Sequence, residues 1–416
     1  MKAIRPLFIT IIFDKANIFY FDLSLVKPYT RHMSSQREAR KLRYVWPLGA
    51  AGAGPAWFTI IMGTGILAIC TTISPVPVPF ARAIGIALWS VDTALFATFV
   101  LLWIAGIVRN PRATLETLGD PVKAQFWGAP PMACFTIAVG FLKIGEQFLP
   151  AELCIAAAQV LFVAGVVGSV FSVFAVPYLM FTQHELSAEK TAGNWLLSVV
   201  PPIVASAPAA LLSPTWPSSV RGDVLALTYA LLGIGVILAA IIIVLFYSRL
   251  VYHKVPEGAL VSTMWLVVGP LGQSIAGFIA LGSVARVVWP ALGGGLALAG
   301  LAYGVFVWGF AMYWLVMAMI VTVRAARKQL PFNLGWWAFT FPVGVLTAGT
   351  DALYAQTRAH IFEFSSVALL ALLATMWSLV TAKTLRCVSL SLASLPAEAA
   401  DSRLLGREMP SQKLKE

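Results

Sequence analysis

Along the chain, apolar runs alternate with short stretches rich in Gly, Pro and basic residues. Several of these runs exceed the ~18 residues with which a helix spans a hydrocarbon layer. Hydropathy predicts ten spans, at 55–73, 84–108, 128–148, 153–180, 195–212, 224–247, 263–288, 296–323, 337–354 and 365–385. The pattern therefore predicts an all-α polytopic membrane protein, with a first tail at 1–44, a membrane domain at 45–388 and a second tail at 389–416.

Basic residues alternate between the loops. Arg109, Arg112 and Lys123 follow the second span, Lys190 the fourth, Arg249 and Lys254 the sixth, and Arg324, Arg327 and Lys328 the eighth. The opposite loops hold single cations, Arg82, Lys143, Arg221, Arg286 and Arg358. Because cytoplasmic loops retain Lys and Arg, both termini are expected in the cytoplasm. The apolar run at 7–13 is too short for a span, is interrupted by Asp14 and Lys15, and precedes no cleavage site, so it reads as no signal peptide. Met33 would make a more ordinary start, which marks the residues before it as an upstream extension or a misassigned initiator.

Proline distinguishes odd spans from even ones. Pro55 opens the first, Pro130 and Pro131 mark the third, Pro201, Pro202 and Pro208 the fifth, Pro270 the seventh and Pro342 the ninth; among even spans only the fourth carries one, Pro177. The markers recur about every 70 residues, the length of a helical hairpin, so five repeated hairpins are expected. Proline inside a helix frees a carbonyl that protein or water must satisfy, which places kinked odd spans inside, facing one another or a cavity. Gly63, Gly65, Gly269, Gly272, Gly277, Gly344 and Gly349 on odd spans fit either close helix packing or a lumen. Gly300 and Gly304, a GxxxG spacing in span eight, fit contacts within or between protomers.

Composition agrees: 59% of the 416 residues are hydrophobic and 11% charged, which excludes a soluble globular chain. The net charge of +11 follows from the cytoplasmic loops and implies no nucleic-acid partner. Cys70, Cys134, Cys154 and Cys387 form no CxxC pair and read as small buried hydrophobes. His32, His184, His253 and His360 lie in tails or loops, and neither HExxH, GxSxG nor GxxxxGK[ST] occurs. No catalytic cluster, metal site, cofactor or ATP-driven step is therefore expected.

Ionisable residues within spans are costly. Asp92 is the deepest acid, while Glu146 and Asp351 lie near the outer ends of spans three and nine. Each fits a proton relay or an ion pair or end group reaching water. An ion among the odd spans would meet few fixed charges and mainly Thr59, Thr64, Thr136, Ser198, Ser206, Gln273, Ser274 and Thr340. Weak coordination of that kind suits conduction better than tight binding.

The segments PAWFTIIMGTGILA (55–68), GNWLLSVVPPIVAS (193–206), MWLVVGPLGQS (264–274) and PFNLGWWAFTFPVGVL (331–346) resemble the tellurite-resistance and dicarboxylate transporter family within the voltage-dependent anion channel superfamily. That family includes plant slow-type anion channels, malic acid permeases and fungal sulfite efflux pumps; the wording of the third and fourth segments is similar to the sulfite branch. The resemblance implies five hairpins around a central pore lined by odd helices, an often trimeric assembly in the plasma membrane, and small inorganic or organic anions such as sulfite or malate as substrates. It also implies a plugging phenylalanine on the ninth helix, matched here by Phe341, with Phe339 as the nearby rival. Gly63, Gly65, Pro130, Pro131, Pro201, Pro202, Gly269, Pro270, Gly272, Gln273 and Pro342 are the expected lining or kink positions. A proton-coupled carrier using Asp92, Glu146 or Asp351 is the alternative, and a membrane-embedded enzyme a more distant one.

Overall fold

The computed structural model describes residues 54–75, 79–328 and 330–405, with side chains through residue 390. The expected N-terminal tail 1–44 and the question of a start at Met33 lie outside the described residues. The main helical elements are α1 (Pro55–Ile73), α2 (Ala81–Arg109), α3 (Ala124–Gln147), α4 (Ala151–Thr182), α5 (Gly193–Val199 and Pro201–Thr215), α6 (Ser218–His253), α7 (Gly258–Val288), α8 (Pro290–Ala326), α9 (Phe341–Thr357) and α10 (His360–Leu405). Eight of them are long and apolar enough to cross a membrane, and nine with α5, whose two pieces meet at 56°. The predicted ninth span corresponds to α9, 17 residues long, behind a 3-10 turn at Leu334–Phe339. Even helices run past their predicted ends, as α6 and α8 do with 36 and 37 residues, because hydropathy registers only the apolar middle of a helix.

Odd and even helices occupy different layers. Of the most apolar stretch, 72% to 83% is buried in α1, α3 and α7, against 11% to 39% in the five even helices. The odd helices pack in chain order, α1 on α3, α3 on α5, α5 on α7 and α7 on α9, and α9 closes the ring against α1. Each even helix packs outside on the odd helix before it. Large apolar side chains such as Leu101, Phe174 and Phe306 remain exposed on this outer layer, as expected of a lipid-facing surface.

Indole and phenol groups of the outer helices pin the inner ones. Trp377 of α10 donates to Thr64 of α1 (3.1 Å), Trp308 of α8 to Thr350 of α9 (3.1 Å), and Trp314 of α8 to the Met264 carbonyl of α7 (2.8 Å). Tyr303 of α8 donates to Ser274 of α7 (2.8 Å), and Trp265 of α7 donates back to Thr322 of α8 (2.8 Å). These buried polar side chains thus find partners across the layers, as an apolar surround demands.

Every odd helix is led in by a 3-10 turn: Pro55–Trp57, Ala124–Gly128, Gly193–Trp195, Gly258–Ser262 and Leu334–Phe339. The prolines fit the expected kink only in α5, whose pieces meet at 56° where Pro201 and Pro202 open the second, and elsewhere they correct it. Pro130 and Pro131 sit in the first turn of Ala129–Lys143, Pro201 and Pro202 open Pro201–Val204 after the break at Val200, and Pro270 and Pro342 lie in the first turns of Val268–Val288 and Phe341–Thr357. In a first turn the missing N–H has no partner to lose, and the fixed φ favours the helix. Proline here mostly starts helices; Pro177 of α4 and Pro396 of α10 lie inside theirs.

Gly300 and Gly304 pack within the protomer. A Cβ on Gly300 would lie 2.8 Å from the Phe278 carbonyl oxygen of α7, and one on Gly304 3.1 Å from Leu353 of α9.

Candidate functional site

Four of the lead-in turns, those of α3, α5, α7 and α9, converge with the first turns of α1 on a cavity of about 60 Å³. A single water needs roughly 10–15 Å³ on that measure, so the space admits a small ion or a few waters. Thr59 and Met62 of α1, Phe126 and Met132 of α3, and Asn194, Leu197 and Val200 of α5 form one side. Ser262, Thr263, Gly269 and Pro270 of α7, with Gly335, Trp337, Phe341 and Pro342 at the start of α9, form the other. No Asp, Glu, Lys or Arg is among the lining residues. What the wall offers instead is the N-terminal ends of helices, whose dipoles favour negative charge.

The two candidate phenylalanines separate. Phe341 lines the cavity, whereas Phe339 packs edge-on against Trp265 (5.1 Å between ring centres) and Trp336 (5.6 Å). Trp337, on the same 3-10 turn, donates to Thr384 of α10 (3.2 Å), which fixes the wall beside Phe341. Gly269 also faces the space: a Cβ there would meet nothing nearer than Pro342, at 3.8 Å.

The other glycines serve close packing. A Cβ on Gly63 would collide with Thr340 Oγ1 at 2.2 Å, one on Gly65 with Thr136 Cγ2 at 2.5 Å and Asp92 Oδ2 at 2.6 Å, and one on Gly272 with the Leu346 backbone at 2.5 Å. Pro130, Pro131, Pro201, Pro202 and Gln273 are buried in the ring without lining the cavity.

Of the eight polar residues expected along the path, only Thr59 lines this cavity. Thr64 and Ser274 accept hydrogen bonds from Trp377 and Tyr303. Thr136, Ser206 and Thr340 donate to carbonyls of their own helices. Ser198 donates to Gln125 Oε1 (2.8 Å), joining the lead-in of α3 to α5. Sequence reasoning missed Asn194, which lines the cavity at 5% exposure with an Oδ1 that has no hydrogen-bond partner. The lone signal was its place in the GNW that opens the second motif.

The acids lie elsewhere. Asp92 is wholly buried, reaches between α1 and α3 beside Gly65 and Thr136, and neither carboxyl oxygen has a partner. Asp351 accepts from Ser366 of α10 through Oδ1, while its Oδ2 is unpartnered. Glu146 is exposed at the far end of α3. Among the described residues no group of His, Cys, Asp and Glu is arranged to hold a metal ion.

Buried apolar helices inside an apolar outer layer define a multi-pass membrane protein, and the cavity at the start of its odd helices is lined by no charged residue. The particular lineage follows from comparison. This chain belongs to the voltage-dependent anion channel (SLAC1) family, which its residues 52–385 match. It is 32% identical over 339 residues to a sulfite efflux pump of Arthroderma otae, covering 79% of this chain and 89% of that protein. An uncharacterized transporter of Methanocaldococcus jannaschii is 27% identical over 335 residues (80% and 94% covered), and the malic acid transport protein of Schizosaccharomyces pombe is 20% identical over 315 residues (69% and 67% covered). The family and these relatives are channels and transporters rather than enzymes.

Proposed function

We propose that this chain is a ten-span anion conduit of the plasma membrane that exports small oxyanions, sulfite foremost, along a path formed by the odd helices and obstructed by Phe341. One observation carries the reading: the lead-in turns of α3, α5, α7 and α9, with the first turns of α1, wall a cavity without fixed charge, and Phe341 is part of that wall. With both termini cytoplasmic, these turns face the cytoplasm, and the cavity is the inner mouth of the path. An anion there is held by helix N-termini strongly enough to enter and weakly enough to leave. Opening is a rearrangement of the Phe341 ring or of the junction at Thr340 between its 3-10 turn and α9. The sulfite efflux relatives support the substrate class. In proteoliposomes loaded with sulfite, Phe341→Ala is expected to raise efflux; an unchanged or lower rate at equal protein incorporation sinks the gate.

Asp92 favours a second reading, proton-coupled transport, because a wholly buried carboxyl without a partner is expensive to keep. The exposed Glu146 has no such claim. Sulfite flux that follows an imposed pH gradient and loses that dependence in Asp92→Asn would establish coupling; flux indifferent to the gradient would discard it.

A further inference from the structure

The polar side chains of the cavity are not equivalent. Thr59 Oγ1 donates to the Ala56 carbonyl (2.7 Å), Ser262 Oγ to Ala259 (3.2 Å) and Thr263 Oγ1 to Leu260 (2.7 Å). All three hydroxyl protons are thus committed within their own lead-in turns, and only oxygen lone pairs remain. Asn194 differs: among the described residues its side chain makes no hydrogen bond, and its Oδ1 is buried without a partner. Its backbone is fixed, because neighbouring Gly193 lies so close to α7 that a Cβ there would be 2.0 Å from the Thr263 carbonyl oxygen. The side chain is free to turn about its terminal torsion, and an amide turned to the cavity presents one donor edge and one acceptor edge.

We infer that Asn194 is the specificity-determining residue of the cavity, and that it selects oxyanions that still carry a proton. The inference rests on the anion-conduit reading of the same site. Hydrogensulfite or a singly ionised carboxylic acid accepts from the Nδ2 group through a charged oxygen and donates its O–H to Oδ1, satisfying both edges. Nitrate, of similar size, accepts from Nδ2 but leaves Oδ1 unsatisfied. Chloride does the same, and the sulfite dianion adds a second charge to be desolvated without supplying the proton. A site whose buried polar group is left unpaired by the wrong ligand discriminates more sharply than one relying on size. Helix N-termini supply general attraction for anions; Asn194 supplies the choice among them.

The test is the ratio of sulfite efflux to nitrate efflux from proteoliposomes at fixed total sulfite, measured across neutral pH, for wild type, Asn194→Leu and Asn194→Ser. Wild type is expected to favour sulfite, with its sulfite flux falling as rising pH converts hydrogensulfite to the dianion while nitrate flux holds. Asn194→Leu is expected to lower the ratio roughly tenfold, the worth of a hydrogen bond to a charged partner. Asn194→Ser, which keeps one group able to donate and accept, is expected to fall between. A Leu variant that conducts nitrate with an unchanged ratio overturns the inference, as does a wild-type ratio independent of pH, a result that stands even if the Leu variant fails to assemble. Wild-type vesicles that conduct neither anion refute the conduit reading itself, which separates the two failures.

Discussion

Gly269 and Gly272 lie one turn apart on α7, and alanine at each should have opposite effects. At Gly272 the added Cβ would sit 2.5 Å from both Cα and N of Leu346, backbone atoms that no rotamer change moves. An ordinary contact is at ~3.5–4.0 Å, so α7 and α9 must part by roughly 1 Å. Overpacking of this kind costs about 1–3 kcal/mol. Gly272→Ala is therefore expected to lower the thermal midpoint in detergent, followed by fluorescence-detected size exclusion. At Gly269 the nearest atom to the new Cβ is Pro342 Cγ at 3.8 Å, an ordinary contact. The methyl group enters a cavity of only about 60 Å³, so Gly269→Ala is expected to keep the wild-type midpoint and to reduce anion flux in proteoliposomes. A stable Gly272→Ala, or a Gly269→Ala that unfolds early while conducting normally, would refute this assignment of the two faces of α7.

Because Pro342 starts a helix instead of bending one, Pro342→Ala should change stability by under about 1 kcal/mol, mainly through the freer unfolded chain, measured as the thermal midpoint; a loss of several kcal/mol would mean the ring itself supports the wall. Asp120, in the loop ahead of α3, accepts N–H bonds from Val122 (2.9 Å) and Lys123 (3.0 Å) and lies 3.7 Å from the Lys123 ammonium. Partial burial pushes its carboxyl upward, but the two backbone bonds and the Lys123 charge outweigh that and hold it below the usual range. A depressed carboxylate stabilises the fold above its unfolded value of about 3.9 and loses that effect as the pH falls through its folded value. Asp120→Asn should therefore be slightly less stable than wild type near neutral pH and converge with it in strong acid; a difference that persists there would refute the assignment.

Much of this architecture was legible because lipid imposes simple rules. Apolar length marked the helices, and proline at regular intervals marked the inner ones, as their burial bears out. Outside α5, which does bend at Pro201, what proline does was misjudged, since sequence gives its position but not where the helix begins, and a 3-10 turn before Pro342 is indistinguishable from one more helical turn. The polar residues were harder still. Thr64 and Ser274 have the composition of a water-lined path, yet an indole and a phenol on outer helices claim them, contacts spanning 313 and 29 residues that no local pattern encodes. Asn194 escaped for the reverse reason: one amide in a loop-like GNW belongs to no periodicity, and only the gathering of the odd helices' first turns gives it a setting. The glycines divide likewise by neighbours, Gly269 to open space and Gly63, Gly65 and Gly272 to contact.

The contact of α9 with α1 also bears on biogenesis. It joins segments made at the beginning and the end of synthesis; the Cys70 thiol donates to the Gly344 carbonyl across 274 residues. Hairpins can form and insert one at a time, but the seam between first and last inner helices waits until the ninth has emerged. Until then, inner surfaces meant for protein, including the Asp92 region and the hydroxyls of α1, face lipid or whatever shields them. A chain truncated before α9 is thus an open assembly with exposed polar seams, a form that cellular surveillance of membrane proteins can distinguish from the finished one.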